Sequence, residues 1–311
     1  MAKTAPAQKR PARPAPKAAG RPAGLFTWIA IGLVVVVVAT LVIIKVTSSS
    51  STSGSSVFTP SSATVVSEVT KVPASTLDHV GVTSSVAPVS APVPLSGAPA
   101  LTGTSATGAK LPEVFYLGAE YCPFCAAARW PLIVALSRFG SFKNLGDMES
   151  STLPGEVYQG TPTFTFVKST YTSKYLVFKS IEQYTNVYDP SAGFYTKLQN
   201  PTGTEAANFQ TYDTSKYIPG MQVSQDHSIP YISIGNKYLV SGSSYTPATL
   251  SGQSRDQIAA GLANASSPVT SAILATANYL TAAMCTLTKN QPSTVCSSPG
   301  VAAAKKAMGI K

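Results

Sequence analysis

Val114-Phe115-Tyr116-Leu117-Gly118-Ala119-Glu120-Tyr121-Cys122-Pro123-Phe124-Cys125 carries the chain from a short apolar run into a helical pattern that begins Ala126-Ala127-Ala128-Arg129-Trp130. The run reads as a strand, and two cysteines separated by two residues stand where the helix starts. That spacing brings both sulfurs within disulfide reach across one helical turn. The first sulfur lies beside the unpaired N–H groups of the first turn, where the helix dipole favours a thiolate. A lowered thiol pKa is what attack on a disulfide requires, so Cys122 and Cys125 are a candidate redox pair. Two plainer readings stand beside it, half of a zinc site and a fixed structural disulfide. Zinc needs two further ligands at short spacing. The chain has four cysteines and two histidines, and Cys285 and Cys296 are distant in sequence and not closely spaced, so no metal is expected.

The first 24 residues carry Lys3, Lys9, Arg10, Arg13, Lys17 and Arg21 and no acid. Twenty residues from Leu25 to Ile44 follow, apolar apart from Thr27, Gly32 and Thr40. At 1.5 Å per residue this length matches a hydrocarbon core of about 30 Å. The basic flank predicts a cytoplasmic N-terminus and an extracytoplasmic remainder, a single-pass cell-membrane protein. A cleaved signal peptide has a shorter apolar region, about 7–15 residues, and no clear cleavage site follows here, so an uncleaved anchor is the preferred reading. The formal charge of +10 does not indicate nucleic-acid binding, because the tail and Lys45 hold seven of the cations and leave 16 against the 13 acids. The tail orients the membrane helix and meets anionic headgroups. All four cysteines fall on the predicted external side, where disulfides persist.

The expected organisation is a basic cytoplasmic tail over 1–24, a transmembrane helix over 25–44, a flexible Ser/Thr-rich stalk over 45–62, an extracytoplasmic domain over 63–300 and a C-terminal tail over 301–311. Within the domain, Val65–Val80 reads as a short helix and Thr83 to about Lys110 as an extended stretch with one edge strand. Pro131 predicts a kink in the helix that follows the cysteines. Thr163–Lys168 and Tyr175–Tyr184 are strand-like, rich in aromatic and β-branched residues. Residues 185–225 read as an insertion or a substrate-side lobe with weak helical character. Tyr231–Ile234 and Lys237–Val240 flank Gly235-Asn236, the signature of a hairpin with a primed two-residue turn. Helical patterns lie in the second half of Pro247–Leu262 and over Val269–Cys285. Asn264-Ala265-Ser266 fits a glycosylation acceptor, a pattern common by chance.

The order of strand, CxxC, helix, further strands, Ile-Pro before a hairpin, and closing helix resembles the thioredoxin superfamily. Two motifs carry the resemblance, Ala119-Glu120-Tyr121-Cys122-Pro123-Phe124-Cys125 and Ser228-Ile229-Pro230-Tyr231-Ile232-Ser233-Ile234. The longer run GAEYCPFCAAARWPLIVALSRFG, with Tyr171-Thr172-Ser173-Lys174-Tyr175 and the C-terminal cysteines, is similar to a membrane-anchored thioredoxin-like family of unknown function from archaea and actinobacteria. That likeness covers roughly 62–300. It implies an α/β, thioredoxin-like fold with insertions after one N-terminal transmembrane helix. It further implies that Pro230 is cis and faces the redox pair, with Ile229 pairing its backbone with substrate. Pro162, in Thr161-Pro162-Thr163, is a rival for that role at closer spacing. Many thioredoxins carry a buried acid on the strand before the first cysteine; here the strand has no acid after Glu113, and Glu120 is expected at an exposed position.

Cys285 and Cys296 enclose a ten-residue polar loop with a proline, which reads as a structural disulfide, with a second redox pair as the alternative. His227, three residues before Pro230, either stabilises a thiolate or is simply solvated; His79 has no indicated role. The tyrosines between 171 and 217 either line a groove or pack the insertion. The expected function is a membrane-anchored extracytoplasmic thiol–disulfide oxidoreductase acting on protein cysteines. Cys122 and Cys125 would be catalytic, and Ile229 and Pro230 would position the substrate. Its partners would be protein thiols or disulfides, a redox partner protein and the membrane through one helix, with no nucleic acid and no cofactor. The alternative is a redox-inactive surface binding module of the same fold with structural disulfides. An exposed Cys122 facing a cis Pro230 favours the enzyme, and burial of Cys122 favours the module.

Overall fold

The computed structural model describes residues 58–83 and 89–311. The tail 1–24, the apolar segment 25–44 and the stalk as far as 57 lie outside the described residues. Among the described residues no helix is long and apolar enough to cross a membrane.

The architecture is mixed α/β around a six-stranded mixed sheet. Its central strand is β3 (Lys110–Gly118), reached after helices α1 (Ala63–Thr70) and α2 (Ala74–Val80) and the short strands β1 (Val93–Pro94) and β2 (Thr102–Thr104). On one side of β3 runs antiparallel β11 (Tyr231–Ile234), with Val114 opposite Ile234 and Leu117 opposite Tyr231. Beyond β11 come β12 (Tyr238–Ser241) and β1. On the other side β2 pairs with the first residues of β3, and β8 (Val177–Glu182) runs parallel from Glu113 to Gly118.

Successive residues of β3 point to opposite faces. Val114 and Tyr116 enter a large core with the helices, while Phe115 and Leu117 enter a second cluster with Leu95, Leu101, Phe209 and Tyr231. Burial on both faces explains why the strand is continuously apolar rather than alternating. The helical face is built by α3 (Pro123–Ser137) against β6 (Pro162–Thr165) and α6 (Pro268–Leu287); β5 (Gly146–Glu149) pairs with β6, β4 (Gly140–Lys143) pairs with β7 (Thr170–Ser173), and α5 (Arg255–Gly261) precedes α6. Helix α6 is buried without a break from Val269 to Cys285, and its polar side chains bond inside, Thr276 and Thr281 to carbonyls one turn back and Asn278 to the Leu77 and Gly81 carbonyls. Phe209, on α4 (Gly203–Tyr212), covers the opposite face of the sheet.

Several expectations need correction. Residues 65–80 form two helices rather than one, separated by Lys71–Pro73, where Pro73 cannot continue a helix and instead opens α2. The insertion after 184 begins as a strand pair, β9 (Tyr184–Asp189) and β10 (Phe194–Lys197), before α4. Residues 301–311 are not a free tail, because α8 (Pro299–Ala307) carries Val301 and Ala304 into the core. At the other boundary, the Ser61 N–H bonds to the Leu145 carbonyl and Ser62 caps α1, so 58–62 packs onto the domain. The hairpin turn has positive φ at both Gly235 (63°) and Asn236 (54°), the backbone that its two residues favour.

Candidate functional site

Cys122 is the N-cap of α3, and its Sγ accepts from the Cys125 N–H at 3.3 Å. An N-cap is usually an oxygen side chain; a sulfur in that place receives the same amide donors, and as a thiolate receives them better. Pro123 occupies the first helical position, where its missing N–H costs nothing and its fixed φ suits the turn. The neighbouring Phe124 and Cys125 amides are left to serve the sulfur.

The two thiols are unbridged and differ in setting. Cys125 is fully buried, whereas Cys122 keeps 5% of its surface exposed, so an incoming group meets Cys122 first. The Cys122 pKa is lowered, chiefly by the Cys125 thiol hydrogen-bonding to its sulfur, then by backbone amides and the Arg129 guanidinium against the opposing effect of burial. Burial pushes the Cys125 thiol up. This asymmetry suits a nucleophile and a resolving thiol.

The Ile229–Pro230 peptide bond is cis, and the Cys122 thiol points at the Ile229 carbonyl with Sγ···O at 3.9 Å. Cys122, Cys125, Ile229 and Pro230 therefore converge at one end of β3 and β11. Pro162 belongs to β6, where its carbonyl accepts from Trp130 Nε1 at 2.9 Å. His227 is turned to α4, its ring nitrogen 3.0 Å from the Gln210 carbonyl. Cys285 and Cys296 form a disulfide between α6 and the short helix α7 (Ser293–Cys296).

Behind the cysteines lies a charged group that the sequence reading passed over. Arg129, one turn after Cys125, is fully buried and forms a bidentate ion pair with Glu182, at 2.9 Å from Nε and 2.6 Å from Nη2. Nη2 also donates to the Ala119 carbonyl at 2.9 Å, the same oxygen that takes the Cys122 N–H at 3.3 Å. The guanidinium thus underlies the turn that bears the reactive sulfur, with its carbon 5.6 Å from the Tyr116 ring centre. The signal was a lone arginine in an otherwise apolar helix, a charge that must find a partner inside.

Glu120 is the second correction, since it is 1% exposed rather than on the surface. Its Oε1 accepts from Thr165 Oγ1 at 2.6 Å, and its Oε2 makes no hydrogen bond among the described residues. Burial raises its pKa to about 7, assisted by the Glu182 charge and opposed by Thr165 and Arg129. Among the described residues no group of three His, Cys, Asp or Glu side chains is placed to hold a metal.

No curated protein and no solved structure matches this chain. One family model matches, over residues 102–286, and that span runs from β2 to the last turn of α6 and includes both cysteines and Pro230. The chain belongs to the family described as Domain of unknown function (DUF929).

Proposed function

We propose that this protein is a thiol–disulfide oxidoreductase of thioredoxin-like fold acting on protein cysteines. The observation that carries the reading is the Cys122 sulfur, capped by helix amides, lowered in pKa and directed at the Ile229 carbonyl beside Pro230. The strand–CxxC–helix unit next to an antiparallel strand preceded by a cis proline supports the thioredoxin-like assignment. The basic tail and the twenty-residue apolar run support a single membrane anchor with this domain outside.

In the reducing direction the Cys122 thiolate attacks one sulfur of a substrate disulfide. A Cys122–substrate bond forms, the substrate S–S bond breaks, and the departing thiolate takes a proton. Cys125 then loses its proton and attacks Cys122 Sγ. The Cys122–Cys125 bond forms and the second substrate thiol leaves. Two electrons and two protons have passed to the substrate, and a partner dithiol restores the pair. In the oxidising direction every step reverses and the partner is a disulfide. The Ile229 N–H makes no hydrogen bond among the described residues, which leaves it open to a substrate carbonyl while Cys122 is engaged.

One observation favours the binding module instead, the near-complete burial of Cys122. A single experiment separates the two. In Cys125→Ser, Cys122 forms a mixed disulfide with a peptide disulfide, seen as a mass adduct released by dithiothreitol, and the wild-type pair titrates between about −120 and −270 mV. A pair that stays oxidised below about −300 mV, with no adduct in the variant, overturns the enzyme reading.

A further inference from the structure

Seven large apolar side chains are exposed among the described residues, and six of them sit in the CxxC turn or in two segments joined to it. Phe124 lies between the cysteines, and its ring meets Tyr158 edge-on at 5.9 Å, with Val157 adjacent. On the other side Tyr121, immediately before Cys122, stacks on Tyr195 at 4.3 Å and meets Phe194 edge-on at 5.5 Å. Val187, Tyr188 and Phe194 are the exposed large apolar members of that β9–β10 pair, and Lys197 is exposed at its end. Phe124, Tyr158 and Phe194 are 37%, 42% and 43% exposed, too much for rings that serve only as filling.

The two segments are fastened to each other and to the redox turn. The Tyr195 hydroxyl hydrogen-bonds Ser151 and Glu156, both at 2.6 Å, and so ties β10 to the loop that carries Tyr158. The Ser151 N–H bonds to the Tyr121 carbonyl, and the Glu120 N–H to the Tyr184 carbonyl, each at 2.9 Å. Held in this way, the two segments present an aromatic rim beside the CxxC turn. Contiguous exposed apolar surface of this kind marks a recognition site.

We propose that this rim is the docking surface for an extended polypeptide substrate whose cysteine is flanked by aromatic or large aliphatic side chains. The inference rests on the oxidoreductase reading, because the sulfur at the centre of the rim identifies the occupant as a cysteine-bearing chain. The Ile229 backbone, whose carbonyl lies 3.9 Å from the Cys122 sulfur and whose N–H makes no hydrogen bond among the described residues, matches the backbone of such a chain rather than a small thiol. The rim supplies ring faces to the side chains of such a chain.

The test uses the full-length protein and two peptide disulfides that differ only in the residues beside cysteine, Phe/Tyr in one and Ser in the other. Exchange with the aromatic peptide is expected about tenfold faster in kcat/KM, the factor that one buried side chain supplies. Tyr158→Ser and Phe194→Ser should move that ratio toward one, whereas Val223→Ser, the exposed apolar residue outside the two segments, should not. Equal rates in the wild type, or a ratio unchanged by the rim variants, overturns the proposal while leaving the redox reading intact. Binding is measured separately by fluorescence anisotropy, with a labelled aromatic peptide whose cysteine is replaced by serine. Binding lost in Phe194→Ser supports the rim even if no exchange occurs, in which case only the redox reading fails. Self-association of the chain that Phe194→Ser abolishes, without peptide preference, would show the rim to be covered by a second copy and overturns the proposal.

Discussion

Arg129 and Glu182 join the helix that follows the cysteines to the strand parallel to β3 through two hydrogen bonds, with neither side chain reaching solvent. Removing one member leaves the other as an uncompensated buried charge, a loss of about 3–5 kcal/mol. Arg129→Met is therefore expected to unfold at markedly lower urea concentration than the wild type. Arg129→Met/Glu182→Leu should recover most of that loss, since a well-packed apolar pair replaces buried ions with little penalty. Urea unfolding followed by fluorescence checks both, and a double variant as unstable as the single one would contradict the argument.

The thiol pair gives a second expectation. The largest influence lowering the Cys122 pKa is the hydrogen bond from Cys125, ahead of the helix amides and Arg129. Iodoacetamide labelling of Cys122 in the reduced protein should have a pH midpoint below the value of about 8.5 for a free cysteine. Cys125→Ala deletes the donor and should raise the midpoint, while Cys125→Ser keeps a hydroxyl donor and should hold it closer to wild type. A midpoint identical in all three proteins would show that the amides alone govern the thiol.

Much of this region was legible in the sequence because its signals are local. The Cys122–Cys125 spacing, the apolar run of β3 and the Gly235-Asn236 turn each specify their backbone within a few residues. The packing of α8 depends on tertiary contacts that no window of sequence reports. Glu120 was misread for the same reason. A glutamate beside the CxxC looks solvated until Thr165, forty-five residues later, closes over it. Arg129 and Glu182 lie 53 residues apart, so the pair emerges only when β8 takes its place beside β3.

Burial raises the pKa values of Glu113, Glu120 and Asp213 to about 7 each. In the unfolded chain these groups ionise near 4, so between about pH 4 and pH 7 the folded state binds more protons than the unfolded one. Their contribution to stability is thus fully present below the unfolded pKa and is lost as pH rises through 7. Glu120→Gln fixes one group in its uncharged form and should flatten this fall, with the largest gain over wild type above pH 7. Thermal unfolding at pH 5 and pH 8 checks the sign, and a wild-type Tm that rises across this interval by the same amount in both proteins would refute it.

The Cys285–Cys296 disulfide closes a loop with a sequence separation of 11 between the end of α6 and α7. Both sulfurs are buried in the large core, together with Val301 and Ala304 of α8. Loop-closure entropy assigns such a bridge about 2–3 kcal/mol. For a domain of this size that corresponds to a fall in Tm of roughly 4–12 °C in Cys285→Ala/Cys296→Ala. Because the bridge belongs to the core and Cys122 caps a different helix, the double variant should keep the wild-type labelling profile of Cys122 while it is folded. Loss of disulfide exchange in a folded double variant would instead mark Cys285 and Cys296 as a relay that passes electrons to Cys122 and Cys125. Retained exchange with a lowered Tm would leave them a purely structural bridge.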